Sequence, residues 1–142
     1  MNKLEDFPYL YAQNTEFSDL DPLRHVNNKA VIAYYENART RLLMQLFGSQ
    51  MFVGVEDTAL AAVLVDMSVT FAAEVHFPHV ANIGSAVSHI GNSSFSISQG
   101  LFQNEVYCGS CKATLVVVAN GRPEPIPDDI RHRMTEYQRD NF

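Results

Sequence analysis

A short polar segment, Asp19-Leu20-Asp21-Pro22-Leu23-Arg24-His25-Val26-Asn27-Asn28, carries the side chains best suited to chemistry. It places carboxylates a few residues before a run with helical periodicity. The start of a helix offers unpaired backbone N–H groups and the positive end of the helix dipole. Such groups can bind an oxygen on which negative charge develops, and a facing carboxylate can act as base or nucleophile toward a carbonyl held between them. The arrangement fits acyl transfer or hydrolysis.

The same segment also has a purely structural interpretation. Asp21-Pro22 is typical of a turn, and Asn27 or Asn28 is a suitable N-cap for the helix that follows. Spacing alone favours this structural role, because Asp-Pro turns before capped helices are common.

Two other groups of residues resemble chemical motifs but stand in the wrong context. Cys108 and Cys111 form a Cys-x-x-Cys pattern inside a predicted strand. Residues three apart in a strand point to opposite faces, so we expect two free thiols there. His76 and His79 flank a proline with no third ligand nearby, so we expect no metal site.

The elements that must position the acidic segment follow from hydrophobic periodicity. Pro8–Phe17 alternates like a strand, and helical spacing predicts a long helix from Asn28 to a stop at Gly48. That helix is apolar over so much of its surface that we expect it to be largely surrounded. Alternating runs then predict four strands, including Ala81–Ile90 and Val106–Ala119.

The order of the elements predicts an α+β fold. Pro127-Asp128-Asp129 opens a short last helix, after the four late strands. Those strands have short connections and should pair antiparallel in one sheet, which must curve to cover the long helix. A chain of 142 residues without a linker or repeat is typical of one domain, which we expect over residues 1–142.

Composition and charge exclude several classes of protein. Hydrophobic residues make up 46% and charged residues 18%, which excludes a disordered or collagen-like chain. The net charge of −6 argues against nucleic-acid binding. No apolar run approaches the ~20 residues of a membrane helix, and the N-terminal residues lack the pattern of a signal peptide. We therefore expect a cytoplasmic protein with neither a nucleic-acid nor a membrane partner, and without a metal or other cofactor.

Most of the chain resembles one known family. Residues Phe17–Arg39 resemble the opening motif of hotdog-fold acyl-CoA thioesterases of the 4-hydroxybenzoyl-CoA thioesterase-like subgroup. That motif is Asp-x-Asp-x-x-Gly-His-Val-Asn-Asn, followed by an aromatic-Glu-x-x-Arg on the helix. The likeness continues through Ile90–Phe95, Val116–Val118 and Arg122–Pro127. It implies the hotdog fold, a curved antiparallel sheet wrapped around one long central helix, here with a short C-terminal helix.

The resemblance also implies an activity and a site. Members hydrolyse acyl-CoA to a carboxylic acid and free CoA, and the second acid of the motif, which falls on Asp21, is the catalytic one. Whether it is nucleophile or general base stays open. The amides of Val26, Asn27 and Asn28 would form the oxyanion site, and His25 could orient the acidic loop or the thioester. Family active sites lie at a dimer interface, which implies a homodimer or homotetramer.

Some positions extend or depart from the family pattern. Arg24 stands where the pattern has glycine and could reach a CoA phosphate, and Ser93 and Ser94 would lie near the partner subunit's site by the same analogy. An apolar slot beside the helix would hold the acyl group. Candidates for its lining are Tyr34, Tyr35, Met44 and Met67.

Two other functions stay open at this level. Hotdog domains can hold an acyl ligand without turning it over, and the departures at Arg24 and Val31, which replaces a family tyrosine, allow such a binding module. A hotdog dehydratase needs a histidine paired with an acid from the partner helix, and that arrangement is not evident. The acid present at Asp21 favours the thioesterase over both.

Overall fold

A six-stranded antiparallel sheet curls around one long helix in the computed structural model, which describes residues 3–48, 60–140 and 142. The α+β architecture expected from the sequence is therefore confirmed. The elements in chain order are β1 Tyr9–Gln13, α1 Asn28–Phe47, β2 Ala61–Phe71, β3 Ala81–Ile90, β4 Ser94–Gln103, β5 Val106–Ala119, β6 Arg122–Pro123 and α2 Asp128–Glu136.

The strand order in the sheet is β1-β3-β4-β5-β2, with β6 paired to β5. All pairs are antiparallel, as the short connections predict, and β3, β4 and β5 follow one another as hairpins. The late strands do not all pair in chain order, however, because β2 pairs with β5 and lies at the edge. The segment 72–80 therefore passes the ends of β4 and β5 to reach β3. This passage brings it against the start of α1.

Local signals set both ends of α1. The side chain of Asn27 accepts a hydrogen bond from the Lys29 N–H at 2.8 Å, so Asn27 rather than Asn28 is the N-cap. Gly48 ends the helix with a φ of 87°, a left-handed backbone that suits glycine. None of the described helices is both long and apolar enough to cross a membrane.

The expectation that α1 is largely surrounded is wrong for the single chain. The sheet covers one side of the helix, while Ala33, Glu36, Asn37 and Arg41 on the other side are exposed. A half-barrel of strands can wrap only part of a cylinder, so the apolar surface predicted from periodicity is covered along one face.

Two hydrophobic clusters divide the buried face of α1 between them. We call them the N-terminal core and the C-terminal core, after the half of α1 that each contacts. The N-terminal core consists of Val26, Val31, Tyr34, Tyr35, Ala38, Val75, Ala81, Ile83, Leu101, Cys108 and Cys111. The C-terminal core consists of Leu42, Leu43, Leu46, Val87, Phe95, Ile97, Ala113, Leu115, Val117, Ile126, Ile130 and Met134.

The first strand is shorter than the sequence predicts. β1 ends at Gln13, and Phe17–Asp19 forms a turn of 3-10 helix instead of continuing the strand. The side chain of Thr15 is buried and donates to the carbonyl of His79 at 2.9 Å. That inward turn at Thr15 takes the chain out of the sheet and into the acidic segment.

The two cysteines do not point to opposite faces, as the strand rule predicts. Leu101 pairs with Gly109 and the next residue, Phe102, with Tyr107, so Cys108 is the extra residue of a β-bulge. The bulge resets the alternation, and Cys108 joins Cys111 in the N-terminal core. Both are free thiols, as expected.

Candidate active site

The acidic segment folds into a compact loop before α1. The Asp21 N–H donates to the carbonyl of His25, and the Arg24 N–H donates to the carbonyl of Asp21, each at 3.0 Å. Arg24 has a φ of 66°, a left-handed conformation in which a side chain costs about 1 kcal/mol or more. Glycine would adopt this backbone without that cost, so Arg24 holds the loop under strain.

The Asp21 carboxylate is held inside this loop. Its Oδ1 accepts a hydrogen bond from the Leu23 N–H at 2.9 Å. Its Oδ2 lies 3.5 Å from Nδ1 of His25, and the side chain of Asp21 is only 16% exposed. The carboxylate is thus fixed by its neighbours instead of projecting into solvent.

The first acid of the segment has a structural role that the sequence did not reveal. Asp19 Oδ2 accepts hydrogen bonds from the hydroxyl of Tyr34 and from the Glu16 N–H. Burial, followed by the hydrogen bond to Asp19, raises the pKa of Tyr34 above its ordinary value, so the phenol stays protonated at neutral pH. Asp19 and Tyr34 tie the loop to the first turns of α1.

The backbone amides expected to form the oxyanion site are not equivalent. The Val26 N–H donates to the carbonyl of Val75, and the Asn27 N–H donates to the carbonyl of Asp19, each at 2.8 Å. Both amides are therefore engaged within the chain, which favours Asn28 over Val26 and Asn27 as a donor to a ligand. The Asn28 N–H, by contrast, makes no hydrogen bond to another described residue. The first residue of α1 thus keeps a donor for a ligand.

Asn28 is one of the residues that line a cavity of about 260 Å³. His25 and Asn28 line it at the start of α1, and Tyr35 lines it about two turns further along the helix. The segment after β2 forms another wall, and the carbonyl that binds Val26 belongs to it. The remaining lining residues are Val26, Val31, Phe71, Ala72, Ala73, Glu74, Val75, Leu101 and Cys108.

Only one of the four residues expected to line an acyl slot borders this cavity. Tyr35 does, whereas Tyr34 binds Asp19 instead. Met44 lies in a separate groove on the outer side of α1 with Tyr11, and Met67 packs half-buried against the N-terminal core.

Ser93 and Ser94 lie apart from the acidic loop within one chain. They belong to the hairpin between β3 and β4, where the carbonyl of Ser93 accepts from the Val117 N–H at 2.8 Å. The same hairpin contacts the segment before α2, through the Ile126 N–H and the carbonyl of Asn92. Since α2 packs with the C-terminal core, the two serines lie toward the other end of α1.

The cysteines and the histidine-rich loop offer little reactivity of their own. Burial raises the pKa of both Cys108 and Cys111, so their thiols stay protonated at neutral pH and are poor nucleophiles. The ring of His76 lies 3.5 Å from the carboxylate of Glu74. In the described part of the chain, no group of three His, Cys, Asp or Glu residues is arranged to hold a metal ion.

Sequence comparison identifies the family. A family model of the thioesterase-like superfamily matches residues 15–134, which include the acidic loop and both helices. The chain belongs to this superfamily. A search of curated proteins found no significant match.

Solved structures of thioesterases share the hotdog fold of this chain. A thioesterase of Thermus thermophilus in complex with coenzyme A and zinc is 28% identical, with a TM-score of 0.81 and coverage of 92% of this chain and 93% of that one. A predicted thioesterase of Bacillus stearothermophilus is 26% identical, with a TM-score of 0.83 and coverage of 92% and 96%. A Pseudomonas aeruginosa protein is also 26% identical, with a TM-score of 0.84 and coverage of 96% and 95%.

Proposed function

We propose that this protein is an acyl-CoA thioesterase of the 4-hydroxybenzoyl-CoA thioesterase-like subgroup, which hydrolyses acyl-CoA to a carboxylic acid and CoA. The observation that carries the proposal is the free N–H of Asn28 at the start of α1. Asn28 and His25 both line one cavity, and Nδ1 of His25 lies 3.5 Å from the Asp21 carboxylate. A candidate oxyanion donor, an imidazole and a cavity therefore lie together at the start of α1, with the Asp21 carboxylate next to the imidazole.

This set of groups suits thioester hydrolysis. As water or a carboxylate attacks the carbonyl carbon, negative charge grows on the carbonyl oxygen, which the Asn28 N–H and the helix dipole can stabilise. One such donor is typically worth about 3–4 kcal/mol of barrier. Because a thiolate is a good leaving group, the reaction needs no metal and no complete triad. Asp21 supplies the negative charge on the other side, as base or nucleophile.

Two observations support the proposal that the substrate contains CoA. The thioesterase of Thermus thermophilus, to which this chain is similar over nearly its full length, is solved with coenzyme A. In this chain, Arg24 is exposed on the acidic loop next to His25, which lines the cavity, and its guanidinium can bind a CoA phosphate. A local cation of this kind is needed because the net charge of the chain is −6.

The exposed edge of the sheet supports assembly into a homodimer or homotetramer. Within the described chain, β2 pairs on one side only, with β5. Its exposed apolar residues include Val63 at 45% and Val65 at 58%. A long apolar edge strand is normally covered. A second copy that pairs with β2 would cover this edge of the sheet, and in such a dimer Ser93 and Ser94 would contact the partner's site. Sedimentation analysis tests whether the protein forms a dimer or tetramer, and a purely monomeric chain would contradict this part of the proposal.

The decisive experiment is an assay of CoA thiol release over a panel of acyl-CoAs. We expect the wild type to turn over at least one of them and Asp21→Asn to reduce kcat by about 100- to 10,000-fold, the usual contribution of a positioned base. Glu136→Gln, at an exposed carboxylate on α2, is the matched control and should keep wild-type activity. Acyl-CoA binding without any turnover would instead identify a non-catalytic binding module.

A further inference from the structure

We propose that the face of the sheet turned away from α1 binds a small apolar carboxylic acid. The site is a cavity of about 300 Å³, which we call the outer cavity. Aromatic rings form its apolar part, and Lys112 is among its polar lining residues. This site does not take part in the proposed catalysis, although its ligand belongs to the chemical class that thioester hydrolysis releases.

The direction of side chains on β4 places the outer cavity on the opposite face of the sheet from the candidate active site. Gln99 and Leu101 point toward α1, since Gln99 donates to the carbonyl of Tyr35 at 3.0 Å and Leu101 belongs to the N-terminal core. Alternation along the strand directs Ser98 and Gly100, which line the outer cavity, to the other face. The sheet therefore separates the outer cavity from the candidate active site, which Leu101 lines from the inner face.

Four aromatic rings form the apolar part of the outer cavity. Phe7 stacks on Phe142 with ring centroids 4.5 Å apart, and Phe102 stands edge-to-face against Phe7 at 6.3 Å. Tyr107 adds a fourth ring, 5.7 Å from that of Phe102. A Cβ atom at Gly100 would lie 3.0 Å from the rings of both Phe7 and Phe102, so the bare glycine backbone leaves room for them on the sheet. The four rings border an apolar space that can hold the body of a small ligand.

Lys112 gives this apolar space a positive charge. It is exposed, and it takes part in none of the ion pairs between described residues. Asp66 borders a neighbouring groove with Lys112 without forming an ion pair with it. Ser68, which pairs with Lys112 across β2 and β5, and Ser110 also line the outer cavity, and their hydroxyls make no hydrogen bond to another described residue. An ammonium group with hydroxyl groups near it is suited to bind a carboxylate.

The size and the charge of the outer cavity favour a small monocarboxylate over other occupants. A volume of about 300 Å³ lies at the lower end of the range of roughly 300–1,000 Å³ for small-molecule sites, so an acid with a short chain or a single ring fits. A whole CoA ester, with its several phosphate charges, would find only Lys112 as a lysine or arginine among the described lining residues. A second copy of the chain is the other occupant that a sheet face can take, and the oligomeric state would then depend on the same residues.

The test is calorimetric titration of octanoate, compared with 1-octanol, which lacks the charge, and with acetate, which lacks the apolar chain. We expect octanoate to bind about ten-fold more tightly than either, or better. Lys112→Gln should weaken the binding of octanoate by about ten-fold or more, because the cation is lost. Ser110→Leu should abolish binding, because the larger side chain fills the cavity. Shifts of the Tyr107 ring signals in NMR spectra locate the bound ligand.

Two control variants separate the outer cavity from general charge effects and from the candidate active site. Arg122→Gln removes an exposed cation on β6 and is the matched control for Lys112→Gln. Asp21→Asn alters the candidate active site. Both control variants should bind octanoate like the wild type. Circular dichroism checks the folding of every variant, and sedimentation gives its oligomeric state.

A wild type that binds no octanoate overturns the inference, as does binding that neither Lys112→Gln nor Ser110→Leu weakens. Loss of binding in Asp21→Asn alone would place the acid in the candidate active site and also overturns it. If both outer-cavity substitutions dissociate an oligomer and no form of the protein binds octanoate, the face is a contact between copies and the inference fails. None of these measurements needs turnover of acyl-CoA, so an inactive wild type would overturn the proposed function and leave the octanoate site standing.

Discussion

The two halves of α1 bury different kinds of side chain. The first half places Tyr34 and Tyr35 under the sheet, each at most 4% exposed, and Tyr35 lines the cavity. The second half buries leucines such as Leu42 and Leu46, which are fully covered by the C-terminal core. One continuous helix therefore has a polar, hollow half and an apolar, closed half.

The difference separates the half of α1 that borders the candidate site from the half that is closely packed. The hydroxyl of Tyr35, in the first half, and Nη1 of Arg39, one turn further along α1, are buried without a hydrogen-bond partner among the described residues. Such groups cost about 1–3 kcal/mol each. The C-terminal core, in which Leu42, Leu46 and Met134 are fully buried, offsets this cost. A site with fixed polar groups can be kept at one end because the other end is tightly packed.

The largest expected effect on folding comes from opening the C-terminal core. Leu46→Ala should lower the free energy of unfolding by about 2–5 kcal/mol, because a fully buried leucine leaves a cavity. Chemical denaturation measures it, with the exposed neighbour Gln45→Ala as control. Under conditions where the variant remains folded, its KM for acyl-CoA should match that of the wild type. A loss of unfolding free energy below about 1 kcal/mol, or a strongly altered KM, would contradict the distinction between the packed half of α1 and the half that borders the cavity.

Two adjacent tyrosines test the polar half. Tyr34→Phe should cost about 1.5 kcal/mol or more, because it removes a hydrogen bond to the Asp19 carboxylate and loosens the acidic loop. Tyr35→Phe is the matched control, since its hydroxyl has no described partner. That variant should be as stable as the wild type or more stable. Equal losses in the two variants would contradict the contrast between them.

The same pair predicts behaviour in alkali. Both tyrosines have a pKa raised above 10.0 in the folded chain, whereas the unfolded chain releases these protons near that value. Above about pH 10 the unfolded state binds fewer protons than the folded state, so stability falls as pH rises. Each Phe variant should show a shallower fall in stability above this pH, measured by denaturation across the alkaline range. If the slope of stability against pH were unchanged in both variants, the raised pKa values of the two tyrosines would be contradicted.

The smallest expected effect on stability comes from a substitution in the acidic loop, just before the polar half of α1. Arg24→Gly should raise the free energy of unfolding by roughly 0.5–1 kcal/mol, since glycine relieves the left-handed strain but adds freedom to the unfolded chain. Arg24→Ala removes the guanidinium and keeps the strain. If Arg24 contacts CoA, both variants should raise KM for acyl-CoA. A raised KM in neither variant would remove Arg24 from the substrate site.

Sequence patterns of short range were sufficient for much of the fold and part of the site. Capping residues predict the two ends of α1, at Asn27 and Gly48. Alternation of polar and apolar residues predicts the strand bounds Ala81–Ile90 and Val106–Ala119. Both signals depend only on neighbouring residues. The contact of Asp21 with His25 also spans only four positions, and the motif pointed to that loop.

The amino-acid sequence by itself determined the element types, their order and the loop that carries the acids, because turn residues, caps and periodicity act locally. Only the tertiary structure decided which amide stays free, because the partner of Val26 is Val75, on the segment after β2. It also decided the pairing of β2 with β5 and, through the bulge at Cys108, which face that thiol takes. Contacts between distant segments depend on the whole packed sheet, and no local pattern encodes them.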